Sequence, residues 1–189
     1  MSLLTSAVSM TKAMIQIDST DPGTYEMAMA DWIEQQLSDL SNVLITREDV
    51  LPGRPNLMAE IPGPKHLPAL VMICHMDTVV IGDGWTLPPF EAIEKDGKIY
   101  GRGACDMKSG LACCLSAFIM AARTLHASGQ APKKDTQNSS VLWMKEDFMR
   151  GSEACIGSGW VTSKRLGHRC RADKRTNPDG AQRPYMVRN

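Results

Sequence analysis

Residues 75–110 read HMDTVVIGDGWTLPPFEAIEKDGKIYGRGACDMKSG. A polar cluster stands at each end. His75-Met76-Asp77 closes residues 68–74, PALVMIC, a continuous apolar run suited to a buried strand. Side chains two apart on a strand share a face. A neutral imidazole is a good zinc ligand, and a carboxylate on the same face can hold its tautomer. Strand ends are also where open α/β sheets hold their ligands. An HxD pair alone equally suits a plain hydrogen-bonded pair. At the far end, residues 101–110 join a hairpin, signalled by Lys95-Asp96-Gly97 within residues 91–100, to an apolar helix over residues 107–125. The glycines allow tight turns. Asp106 falls near the helix start, where a carboxylate either caps the helix or binds metal.

Outward from this stretch, residues 3–17 are helix-compatible and residues 18–23, DSTDPG, form a turn. Thr24 is expected to cap a helix over residues 25–40, with Met27, Ala30, Ile33 and Leu37 at helical spacing. Residues 42–47 and 56–61 read as strands around the 52–55 turn. Gly129 and Pro132 stop the apolar helix. Strands alternating with helices predict an α/β domain, a mixed β-sheet flanked by helices.

The chain has 189 residues, enough for one sizeable core, with 43% hydrophobic and 22% charged residues and no formal net charge. That balance points to no nucleic acid and no membrane. No apolar run approaches the roughly 20 residues of a membrane helix. The first residues lack the pattern of a secretory signal. The six cysteines, Cys74, Cys105, Cys113, Cys114, Cys155 and Cys170, form no CxxC pair. Cys113 and Cys114 are read as small core residues, and a reducing, cytoplasmic setting follows.

Residues 75–110 resemble the zinc-dependent amidohydrolase and metallopeptidase family of acetylornithine deacetylase, succinyl-diaminopimelate desuccinylase, aminoacylase and glutamate carboxypeptidase. The shared pattern is H-x-D-T/V, then W-x-x-x-P-F, then D-G-K-x-Y-G-R-G-x-x-D-x-K-x-G. The resemblance implies a phosphorylase/hydrolase-like catalytic domain, here incomplete, with two zinc ions (cobalt is possible). It implies His75 as ligand of one zinc, Asp106 as the carboxylate bridging both, and Asp77 as the residue orienting the imidazole. It also implies a cis peptide bond after Asp106. The implied substrates are small N-acyl amino acids or peptides with a free carboxylate. Many members are homodimers through a domain that follows later in the family and is not found in this chain.

The family next has a strand ending in Asp-Glu-Glu, the first Glu a general base and the second a zinc ligand. Here Lys145-Glu146-Asp147 follows Trp143-Met144, so Glu146 matches the ligand and Lys145 stands where the base belongs. Trp and Met have single codons. Read one base earlier, Trp143-Met144-Lys145 encodes Asp then Glu, so residues 134–145 read as out of frame. Read one base later, the codons of residues 163–189 permit a D-x-E-x-T segment and an H-K-G strand, both expected there in the family. Residues 1–162 are thus read as a partial metallohydrolase domain. Residues 163–189, with eight Lys or Arg against two Asp, are read as a basic, out-of-frame, disordered tail. The expected function is a metal-dependent amide hydrolase, truncated and impaired. The alternative is a non-catalytic remnant with residual metal binding.

Overall fold

The computed structural model describes residues 3–63, 70–129, 139–144, 150–160 and 166–169. Strand β4 (Leu70–His75) is the apolar run that ends in His75. It lies in a five-stranded mixed sheet of order β2-β3-β8-β4-β9. There β2 (Leu44–Leu51) and β3 (Arg54–Glu60) form an antiparallel hairpin around Gly53. Strand β8 (Ser139–Met144) runs antiparallel to β3 and parallel to β4, and β9 (Leu166–Arg169) runs parallel to β4 on its other side. Strand β8 falls within the segment read as out of frame, and β9 within the segment read as a tail. The rest of that tail, residues 163–165 and 170–189, and Lys145, Glu146 and Asp147 lie outside the described residues.

Alternation along the strands divides the core. Leu57, Ala59 and Cys74 face one layer, packed by α1 (Leu3–Gln16), α2 (Met27–Leu37) and α3 (Ser109–Ser128). Met58, Val71 and Ile73 face the other, against Cys155 of α4 (Arg150–Gly157) and Trp160. Covering a sheet on both faces is what lets β4 be apolar from Leu70 to Cys74. Two short pairs complete the fold: β1 (Thr20–Asp21) parallel to β5 (Thr78–Val79), and the β6 (Ile93–Lys95)–β7 (Lys98–Tyr100) hairpin. At its turn Asp96 and Gly97 both have positive φ, the geometry that an Asp-Gly hairpin turn requires.

Three expectations are corrected. The second helix begins at Met27, not Tyr25, and ends at Leu37. Tyr25 has φ 60, outside helical space, and Thr24 hydrogen-bonds Asp18 instead of capping. Cys114 is buried in the core, but Cys113 is exposed on the outer side of α3. Finally, the segment Ala104–Ser128 is long and apolar enough to cross a membrane by length and composition. In this fold its inner side, with Leu111, Leu115 and Phe118, is core packed against α1 and the sheet.

Candidate metal centre

The chain leaves β4 at His75 and turns through Met76 and Asp77 into β5. The imidazole Nδ1 lies 2.9 Å from the backbone carbonyl of Asp77 and 3.6 Å from its carboxylate. A carbonyl only accepts, so Nδ1 carries the hydrogen, and in the neutral ring Nε2 presents its lone pair. Asp77 therefore orients the ring first through its backbone, with its buried carboxylate close behind.

The second arm arrives from the β6–β7 hairpin. Residues Ala104–Lys108 form one irregular, wide helical turn before α3. Asp106 has φ −127 and ψ 99, extended rather than helical, so its carboxylate does not cap α3. It turns towards β4, and its Oδ1 lies 3.0 Å from Nε2 of His75. The Asp106–Met107 peptide bond is cis, as the resemblance implies. Met107 goes into the core, where its sulfur accepts the backbone N–H of His75 at 3.2 Å.

With the ring neutral, a lone pair and a carboxylate oxygen 3.0 Å apart are two acceptors face to face. They need a cation or a proton between them. Zinc ligands lie about 2.0–2.2 Å from the ion, so one ion can touch both atoms without moving the backbone. The donor set, one imidazole and one carboxylate with a hydrogen-bonded second nitrogen, suits a divalent metal. Asp106 keeps 44% of its side chain exposed, which leaves the centre open on one side. Glu146, the third expected ligand, lies outside the described residues.

A second group of acids sits nearby. The carboxylates of Asp21, Glu26 and Asp77 lie within 4.8 Å of one another. Arg54 already answers that charge. It donates to Asp21 at 2.7 Å and, through Nε, to Glu26 at 2.9 Å, and stacks over Tyr25 at 4.0 Å. Burial works against its charge, but the bonds to Glu26 and Asp21 raise its pKa above the usual value. This is an ion-pair network beside the candidate site, through Asp77.

A model of peptidase family M20/M25/M40 matches residues 71–174. The chain belongs to this family. Within it, the chain is 39% identical over 99 residues to a probable succinyl-diaminopimelate desuccinylase of Staphylococcus epidermidis. That match covers 50% of this chain and 23% of the relative. Human carnosine dipeptidase 1 shares the fold at TM-score 0.63 and 23% identity, over 80% of this chain and 34% of that one. A Bacillus subtilis protein described as a dinuclear metal binding peptidase from the M20 family does so at 0.59 and 17%, over 90% and 44%. The chain thus spans about a quarter of the curated relative and under half of these structures.

Sequence reasoning missed Lys108, although it stands in the D-x-K-x-G pattern. It is 1% exposed, and its ammonium donates to the carbonyl of Ile17 at 2.7 Å. Burial pulls its pKa down to about 8, against the charge of Asp18, which opposes the fall. Burial pushes the Asp18 carboxyl up, but hydrogen bonds from Thr20 and Thr24 and the charge of Lys108 outweigh it and hold Asp18 below its ordinary value. The one cue was position: a lysine at the foot of an apolar helix, where solvent was not guaranteed.

Proposed function

We propose that this chain carries the metal-site half of a dinuclear metallohydrolase that cleaves amide bonds in small N-acyl amino acids or peptides with a free carboxylate. Zinc is the proposed metal, and a reducing cytoplasm the proposed setting. The observation that carries this reading is the 3.0 Å approach of His75 Nε2 to Asp106 Oδ1, with Nδ1 of the same ring committed to Asp77. When bound, the metal supplies a Lewis acid that polarises the scissile carbonyl and acidifies a water. His75 would donate the imidazole lone pair, Asp106 would share its carboxylate, and Asp77 would keep the ring in the tautomer that ligates through Nε2. The names of the relatives, a desuccinylase, a dipeptidase and a peptidase, support the substrate class.

The test is cation titration of the full chain with zinc and cobalt. Saturable binding lost in both His75→Ala and Asp106→Ala, with folding retained, supports the reading; binding indifferent to both substitutions overturns it.

A second reading is favoured by Lys145, which stands where the family has its general base. A lysine takes a proton from water only with a large fall in pKa. On that reading the chain is a non-catalytic remnant that holds metal without turnover, and residues 134–145 and 163–189 are out-of-frame products. Hydrolysis of N-succinyl or N-acetyl amino acids separates the two. On the remnant reading no turnover is expected with either metal, and turnover that vanishes in Asp106→Ala would reject the remnant.

A further inference from the structure

His75 and Asp106 sit on separate arms of the chain, and something must hold those arms at a fixed separation. Segment 17–21, Ile-Asp-Ser-Thr-Asp, touches both. On the β4 arm, Ser19 Oγ donates to the carbonyl of Met76 at 2.8 Å, and the N–H of Thr78 donates to the carbonyl of Ser19 at 2.9 Å. Thr20 and Asp21 then pair in register with Thr78 and Val79. On the Asp106 arm the link is Lys108, two residues beyond the ligand, whose ammonium reaches the carbonyl of Ile17.

The lysine is locked from its other side. Its backbone N–H donates to the carbonyl of Gly103 at 2.9 Å. A Cβ on Gly103 would stand 3.1 Å from Lys108 Cδ and 2.5 Å from Thr78 Cγ2. The aliphatic stem therefore runs in a close-fitting slot under Gly103, beside β5. An apolar side chain of the same length would fill that slot without the desolvation cost of a buried ammonium. What it could not do is fix a distance. Van der Waals contact tolerates sliding, whereas a charge-assisted hydrogen bond weakens steeply away from its preferred geometry.

We propose that Lys108 is a positioning residue for the metal centre: its tether to Ile17 fixes the Asp106 turn against segment 17–21, which also holds the His75 arm, and so sets the His75–Asp106 separation. The inference rests on the reading of these two residues as ligands.

Lys108→Met in the full chain tests it, with zinc and cobalt affinity measured by competition against a chromogenic chelator. Affinity is expected to fall at least tenfold, while the unfolding midpoint of the metal-free chain stays equal or rises. Ser19→Ala, which cuts the other end of the brace without touching a buried charge, is expected to weaken binding as well. Unchanged affinity in Lys108→Met overturns the proposal. So does a loss that only tracks lost folding while Ser19→Ala binds like the parent. If the parent chain binds neither metal, the ligand reading fails separately. The tether is then read by amide exchange in the metal-free chain. Exchange at Thr78 and at position 108 is expected to quicken at least tenfold in Lys108→Met, with Ala59 in β3 unchanged; equal rates at all three overturn the tether.

Discussion

The guanidinium of Arg54 grips the carboxylate of Glu26 through both Nε and Nη2, and Glu26 has no exposed surface. The pair ties the start of β3 to the residue that precedes α2. Arg54→Met should lower stability by about 3–5 kcal/mol, because it removes the counter-charge that Arg54 supplies to the fully buried carboxylate of Glu26. Urea unfolding would measure this. The double variant Arg54→Met, Glu26→Leu should recover part of the loss, and a double variant no better than the single would show that packing rather than charge is at stake.

Asp77→Asn keeps the backbone carbonyl that accepts from His75 but removes the charge behind it. The expected result is a fall in zinc affinity of about 10–100-fold, the usual effect of changing a partner of a ligating histidine. The metal-free chain should stay folded, as its circular dichroism would report. A fall beyond 1,000-fold would instead make Asp77 a direct ligand.

Lys108 predicts a pH dependence with a definite sign. Its pKa is near 8 in the fold, against 10.5 for the free side chain. Between those values the unfolded chain binds the extra proton, so stability should rise with pH there. Relative to Lys108→Met, the native chain should gain on the order of 3 kcal/mol from pH 7.5 to 11. Denaturation of both proteins across that range would measure the difference, and a constant difference would mean the ammonium is well solvated.

Gly103→Ala should cost about 1–3 kcal/mol. The residue has φ +77, and its new Cβ would meet Thr78 Cγ2 at 2.5 Å. The displaced group lies between the two metal arms, so metal affinity should fall with stability. Thermal unfolding with and without zinc separates the two effects.

Much of this was legible in the chain itself. The apolar run into His75, the Asp-Gly turn and the glycines before Asp106 are local signals, set by strand burial, turn sterics and backbone freedom. They placed both arms of the site and the mixed α/β sheet. The brace was not legible. Ser19, Arg54 and Lys108 are ordinary polar residues in sequence, and only tertiary packing decides that they are buried. Thr24 shows the same limit. Its hydroxyl suits a helix cap, but a neighbouring aspartate competes for it, and Tyr25 leaves helical space to cover Arg54. Cys113 and Cys114 lie on a helix, as their apolar run predicts, yet adjacent positions on a helix point about 100° apart, so one faces outward.

The strand order carries a consequence for synthesis. Strands β3 and β4 do not pair with each other; β8 lies between them, with Ala59 and Met72 both paired to Val141. On a ribosome, the strand that ends in His75 emerges well before that middle strand. Until Ser139–Met144 arrives, β3 and β4 each present an open edge, the kind of template that recruits other chains. Newly made protein should therefore depend on holdase chaperones in this interval, and a translational pause before codon 139 should favour clumping over assembly.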